Sequence, residues 1–263
     1  MSLRKSLTLI TAVGAAALLL AGCSSSSNSS GGTTTTTSSA AAKPAETKAP
    51  AIAAFNVGGL LAGNAKPSYP VGDAGKIAVV GQATLVKDSI GAATLPIAYR
   101  NNTGKAVAHV DFTGAARAGG KLVATGQSQG STPSVLQPGE IGFAFLYFDD
   151  ASTLPDSGET YEFTATSSAA DASSYNTTGL TVTEQTNNGT SIVGSATNKS
   201  GKALTGPYSV DVYCFTGTTL TDRVGGFADQ DDDVAADGTV TFTVSLGDTK
   251  CSTYTFGVNG YYK

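Results

Sequence analysis

From Lys76 onward, apolar and polar residues alternate with a period of two, in runs of five to eight residues broken by Gly, Pro, Asn and Asp. A period of two is the signature of a half-buried β-strand. The pattern predicts a first strand from Ile77–Val80 and Ala83–Val86. Leu95–Tyr99, Ala106–Phe112, Lys121–Thr125, Ile141–Phe148 and Tyr161–Thr166 follow. Turn signals separate them: Asn101-Asn102-Thr103-Gly104, Ala118-Gly119-Gly120, Gln137-Pro138-Gly139 and Pro155-Asp156-Ser157-Gly158. After a polar link at Ser167–Tyr175 the pattern restarts. Leu180–Glu184, Ser191–Thr197, Tyr208–Phe215, Leu220–Gly225, Thr239–Leu246 and Tyr254–Val258 are the strands of a second set. Short strands at this spacing with Gly/Pro turns predict β-sandwiches.

A direct repeat links the two sets. Asn101-Asn102-Thr103-Gly104-Lys105-Ala106 aligns with Asn198-Lys199-Ser200-Gly201-Lys202-Ala203, an offset of 97 residues. That is the size of one immunoglobulin-like sandwich. The expected fold is therefore all-β: two tandem immunoglobulin-like domains at 76–168 and 176–263. A transitional segment at 51–75 precedes them, in which Phe55, Val57, Leu60 and Leu61 could dock on the first domain or form a short helical turn.

The first fifty residues follow different rules. Arg4 and Lys5 precede an apolar run, Leu7–Leu20, that is shorter than the ~20 residues of a spanning helix but suits a signal peptide. Leu20-Ala21-Gly22-Cys23 closes it. This motif resembles the lipobox of bacterial lipoproteins. The resemblance implies cleavage after residue 22 and a diacylglycerol thioether, with further acylation, on Cys23. Two or three acyl chains anchor a protein to a membrane without a transmembrane helix, at about 0.8 kcal/mol per buried CH₂. Residues 23–50 then hold the lipidated cysteine and a Ser/Thr-rich tract (Ser24–Ser27, Thr33–Thr37) too polar to bury a core. Such a tract is expected to be a disordered spacer whose hydroxyls could carry O-linked sugar. The expected location is the bacterial cell membrane, lipid-anchored and extracytoplasmic.

Composition agrees with export. Charged residues are 14% of the chain and glycine numbers 32, as in a β-rich extracellular protein. The whole chain carries −4, and loss of Arg4 and Lys5 makes it −6. An acidic surface argues against nucleic acid and against an electrostatic grip on anionic lipid. With Cys23 lipidated, Cys214 and Cys251 remain, 37 residues apart. An oxidising compartment allows one pairing, so a disulfide within the second domain is expected, and none in the first. In the chain-entropy account it contributes roughly 3–4 kcal/mol. Two cysteines without neighbouring histidines do not make a zinc site.

The layout of each half, with its Asn-polar-Gly turn, long strand and Leu136-Gln137-Pro138-Gly139-Glu140 before Phe143 and Phe145, resembles bacterial FxLYD-type and related immunoglobulin-like envelope domains. The second half keeps the turn and Val210-Asp211-Val212-Tyr213, but has Ala236-Asp237-Gly238 in place of Pro-Gly-Glu. Thr113-Gly114-Ala115-Ala116 follows Phe112 where the name-giving motif would stand. The resemblance spans Lys76–Lys263. It implies extracytoplasmic sandwiches of mostly unassigned role and brings no catalytic residues or cofactor.

Three groups are candidates for chemistry. His109 is the single histidine, and alternation puts it beside Asp111 on the solvent face of its strand, with no nucleophile elbow to complete a triad. Asp229, Asp231 and Asp233, with Asp232 and Asp237, imitate the start of a calcium loop. The EF-hand pattern then fails at Val234 and Val240, which leaves a loose oxygen site or a solvated acidic loop. Asn101, Asn176, Asn188 and Asn198 lie in Asn-x-Ser/Thr sequons and read as turn residues. Tyrosines are many for a chain without tryptophan, and exposed ones would suit protein or glycan contact. The expected function is a non-enzymatic binding or assembly module of the envelope, with an envelope protein or glycan as partner. The alternatives are a carrier that holds an apolar envelope ligand between its sheets, and a hydrolase using Asp residues.

Overall fold

A computed structural model describes residues 51–155 and 157–263. The signal peptide at 1–22, Cys23 and the linker at 23–50 lie outside the described residues. The described residues form one compact unit.

The described chain is all-β. Its elements are β1 (Ala62–Gly63), β2 (Ile77–Gln82), β3 (Val86–Lys87), β4 (Ala93–Asn101), β5 (Val107–Ala118), β6 (Lys121–Thr132), β7 (Val135–Leu136), β8 (Ile141–Phe148) and β9 (Thr160–Ser168). The second set is β10 (Thr177–Asn187), β11 (Ser191–Thr197), β12 (Leu204–Thr216), β13 (Thr219–Phe227), β14 (Thr239–Ser245) and β15 (Thr253–Tyr262). One sheet runs β2-β4-β8-β6-β5-β7, with β3 beside β4 and β9 beside β5. The other runs β13-β12-β15-β10-β11-β14, with β1 beside β15. Both curl into two-layered sandwiches. In the second half β10 makes the corner: Thr177–Leu180 pair with β15, and Thr181–Asn187 pair with β11 across a bulge.

Alternation has a direct physical result. In β14, Val240, Phe242 and Val244 are buried while Thr239, Thr241, Thr243 and Ser245 are exposed. The second-half core gathers these with Leu180, Ile192, Tyr208, Val210, Val212 and Phe256. The first-half core gathers Leu95, Ile97, Tyr99, Val110, Phe112, Leu146 and Phe148. The first predicted strand is shorter than expected. It leaves its ladder after Gln82, and Val86 resumes as an exposed two-residue strand.

The repeat is one structural device used twice. Asn101 Nδ2 donates to the Lys105 and Leu136 carbonyls at 2.6 and 3.0 Å, and Asn101 Oδ1 accepts the Thr103 N–H and O–H. Asn198 Nδ2 donates to the Lys202 and Val234 carbonyls at 2.8 and 3.2 Å, and its Oδ1 accepts the Ser200 N–H and O–H. Gly104 and Gly201 take φ of 79° and 76°, a region that costs glycine nothing. Both asparagines are fully buried. Asn101 pins its turn to the segment that leads into β8, and Asn198 to the one that leads into β14, so these two sequons are turn chemistry.

The transitional segment docks on the first half, one of its two expected forms, and on the second half as well. Phe55 meets Phe143 edge-on at 6.4 Å, and the Gly58 N–H donates to Glu140 Oε1 at 2.7 Å. Further along, Ala62 and Gly63 pair with Phe256 and Thr255, and the Asn64 and Ala65 N–H groups both donate to the Tyr254 carbonyl. The segment ends with the Tyr69 and Pro70 carbonyls accepting from the buried Arg100 guanidinium. A third core lies where this strap and the two halves meet. It holds Leu61, Ala65, Ala98, Ile141, Phe143, Tyr213, Phe215 and Leu220. Phe143 stacks on Tyr213 at 4.9 Å and meets Phe215 edge-on at 5.9 Å.

Candidate functional site

Strand β8 explains the site. Ala144, Leu146 and Phe148 face the first-half core, so Phe143 and Phe145 must face outward. An antiparallel strand with two apolar faces needs a second surface to cover it. The outer face of β12, β13 and β15 provides that surface. At the Phe143 end the two surfaces close into the third core. At the Phe145 end they part, and a cleft of about 440 Å³ opens between the halves.

A charged pair marks the point of divergence. Asp211 lies between Val210 and Val212, which fill the core, so its carboxylate projects from the outer face. It pairs with Arg223, one strand over, through both Nε and Nη2. The side chains are only 14% and 22% exposed. The Arg223 guanidinium lies 3.8 Å from the centre of the Phe145 ring, a close cation–π contact across the junction. Thr132 Oγ1 donates to Asp211 Oδ2 at 3.4 Å, also from the first half. A Cβ at position 225 would collide with the guanidinium, so glycine there keeps Arg223 flat along its strand. Burial, and then the Asp211 carboxylate, pushes the neighbouring Tyr213 phenol well above its ordinary pKa, so it stays neutral.

Beyond the pair, the cleft is lined by Gln129, Ser131, Thr177, Ser209, Phe227, Asn259 and Tyr261. Phe227 is 61% exposed. Asn259 is only 7% exposed, yet its Oδ1 has no hydrogen-bond partner. A buried acceptor left without a donor costs about 1–3 kcal/mol. A larger depression, about 780 Å³, lies at the far end of the second half around Gly247–Ser252. Its amides are already committed: Asn64 Nδ2 and Asn187 Nδ2 donate to the Ser252 and Cys251 carbonyls. The smaller cleft is therefore the stronger site despite its size.

The residues singled out from sequence lie elsewhere. Cys214 and Cys251 form a disulfide with Cα atoms 4.9 Å apart, sealed in the second-half core. Cys23 lies outside the described residues. Asp229, Asp231 and Asp233 do not converge. Asp229 accepts from Thr241 Oγ1, Asp233 pairs with Lys263, and Asp231 is exposed and touches the fold through its carbonyl, which accepts the Gly206 N–H. Among the described residues no group of three or more His, Cys, Asp or Glu side chains is placed to hold a metal. His109 is half-buried between the buried Ala108 and Val110, and Asp111 is exposed. A bulge between Ala108 and Asp111 sets His109 at φ 48°, with its Nε2 buried and without a hydrogen-bond partner. Of the tyrosines, Tyr208, Tyr213 and Tyr254 are core, Tyr175 is exposed and Tyr261 lines the cleft.

Sequence reading missed Arg223, Asn259, Phe145 and Phe227. Two signals pointed to them: an apolar residue at every second position on both faces of Ile141–Phe148, and one carboxylate in the middle of an otherwise apolar strand at Val210–Phe215.

No family model matches the chain, and no curated protein matches it. Among solved structures it is similar to a protein of unknown function of the DUF861 family from Pseudomonas syringae pv. tomato str. DC3000. The match has 12% identity and a TM-score of 0.13, and covers 78% of this chain and 94% of that one. At that score the likeness carries no argument about fold or function.

Proposed function

We propose that this chain is a non-enzymatic binding module of the bacterial cell envelope, held at the membrane by lipid on Cys23, and that it works through the junction cleft. The observation that carries the reading is the cleft itself, which sets a neutralised ion pair beside the exposed ring of Phe227. The Asp211 carboxylate is spent on Arg223 and Thr132, so the cleft offers hydrogen bonds and ring faces, not a free acid or base. The third core supports a preformed cleft, because it fixes the two walls against each other. A carrier of apolar cargo between the layers would need space that Tyr99, Phe112 and Phe148 fill in one half and Tyr208, Phe242 and Phe256 fill in the other.

The anchor is tested by growing cells that express the chain on radiolabelled palmitate and then fractionating them. The natural chain should carry label and sediment with membranes; Cys23→Ala should lose the label and either leave the membrane or stay unprocessed. A natural chain with no label and an unmodified N-terminus overturns the anchor.

A further inference from the structure

We infer that residues 51–65 are a clasp released by tension: a pull on the chain that leads toward Cys23 peels them off both halves and uncouples the halves. The inference rests on the anchor reading, which supplies the load. Three features of the strap carry it. First, the clasp is the most lightly held element on the load path, and its bonds meet a pull one at a time. At its start the Ala53 N–H donates to the Gly139 carbonyl at 3.3 Å, a long bond. Next come the edge-on contact of Phe55 with Phe143 and the Gly58 N–H donating to Glu140. Then β1 pairs with β15 through two residues, Ala62 opposite Phe256 and Gly63 opposite Thr255. The pair is antiparallel, so the strap arrives on the side by which β15 leaves toward Lys263. A pull between the two ends of the chain opens such a pair like a zipper. β15 itself is held by ladders to both β12 and β10, and its Phe256 and Val258 are fully buried.

Second, the peel has a fixed end. Beyond the clasp, the buried Arg100 guanidinium donates to the Tyr69 and Pro70 carbonyls, and Asn102 Nδ2 donates to the Val71 and Asp73 carbonyls at 2.7 and 3.0 Å. Both side chains belong to the first half, so the freed strap stays attached there. Third, the clasp holds the core that joins the halves. Leu61 and Ala65 are buried members of that core, and Leu60 covers Gly179 of β10. Their departure opens the stacked Phe143 and Tyr213, with Phe215, to water. Segments held by few buried contacts are where local opening begins. The strap also carries its own means of reseating. Asn56 Nδ2 donates to the Leu61 carbonyl at 2.6 Å, and Asn56 Oδ1 accepts the Leu61 N–H at 2.8 Å, so this turn needs neither half to form.

The test holds the mature chain, made without lipid, by the Cys23 thiol and a C-terminal tag in magnetic tweezers. Cys214 and Cys251 are joined to each other, so Cys23 offers the single thiol. As force rises, the first event should be reversible and release no more than about 60 Å, the extended length of residues 51–68. Unfolding of the first half, residues 76–168, should follow at higher force and release about 300 Å. Asn64 is exposed, and Asn64→Ala removes two bonds of the clasp, one to the Ser252 carbonyl and one from the Tyr254 N–H, both 2.9 Å. At constant force it should speed the first step about tenfold and leave the later ones unchanged. A first event longer than about 60 Å, or a first step that Asn64→Ala leaves unchanged, overturns the inference. The palmitate experiment separates the two levels. Label without the early step removes the clasp and leaves the anchor. The step without label removes the anchor and, with it, the load the clasp answers to, which overturns the inference as well.

Discussion

The two halves have the same strand order and are closed along different seams. In each, the first strand pairs with the second, the second with the fifth, and the third with the fourth and sixth: β2, β4, β5, β6, β8, β9 in one, β10 to β15 in the other. In the first half the fourth and fifth strands are bonded, with Gln127, Ser128, Ser131 and Thr132 of β6 pairing with β8, while no ladder joins β2 to β9. In the second half the first and sixth are bonded, Thr177–Leu180 with β15, while no ladder joins β13 to β14 and an isolated bridge links Ala228, just past β13, to Phe242. Local sequence accounts for both differences. The residues that would extend β2 toward β9 are Pro70-Val71-Gly72-Asp73-Ala74-Gly75, with Gly72 and Gly75 at φ 76° and 78°. Proline and left-handed glycines do not form a ladder. Their counterpart, Thr177–Leu180, includes two β-branched residues. After Phe227 the second half runs into Asp229-Gln230-Asp231-Asp232-Asp233, and like charges disfavour an extended pairing there. Side chains bridge the gap: Thr241 Oγ1 donates to Asp229, and Gln230 Nε2 donates to the Thr239 carbonyl. The acidic cluster is thus where a seam opens. One strand order tolerates either closure because the core, not the full ring of ladder bonds, holds the layers together.

The sharpest way to break the comparison is to remove what the halves share. Phe143→Ala deletes a ring that meets Phe55, Tyr213 and Phe215. It should cost about 3–5 kcal/mol. By calorimetry the natural chain should melt in one transition and the variant in two, one for each half. A single transition in the variant would mean that the halves are coupled by the strap alone.

The next largest effect belongs to one half only. Replacing Cys214 and Cys251 by alanine should cost about 2–4 kcal/mol. The loss should appear as faster amide exchange in β10–β15, with β4, β5 and β8 unchanged. Equal loss of protection in both halves would show that the third core transmits the damage.

The smallest effect tests the likeness itself. Asn101→Ala and Asn198→Ala each strip the buried carbonyls that the amide serves, and each should cost about 1–3 kcal/mol. Urea midpoints should move by similar amounts. A difference beyond about 1 kcal/mol would mean that the two turns no longer carry equal load.

Much of this was legible in the chain and some was not, for reasons that can be named. Period-two runs such as Thr239–Ser245 announce a strand with one wet face, and they were read correctly. The 97-residue offset and the Cys214–Cys251 pairing were also readable, since one is a local pattern and the other is the single pairing left once the lipobox cysteine is set aside. The bulge at His109 was not, because an extra residue inside a strand leaves no trace in alternation. The cleft was not, because its walls come from β6, β8, β10, β12, β13 and β15, and outward faces carry no record of which other face they meet. The strap's pairing with the second half was not, because Ala51–Pro70 has no periodicity and takes its conformation from the surfaces on either side.

That strap bears on how such a chain could be inherited. A repeated domain is usually a part that can be copied, lost or exchanged, since each copy is complete in itself. Here the Gly58 amide answers to Glu140 in one repeat, and Ala62–Ala65 answer to Tyr254–Phe256 in the other. Neither repeat could be swapped for a relative from another chain without also finding a partner for those few residues. A cut at the Ser167–Tyr175 link, the natural place to divide the chain, would separate two pieces that each lack a finished edge.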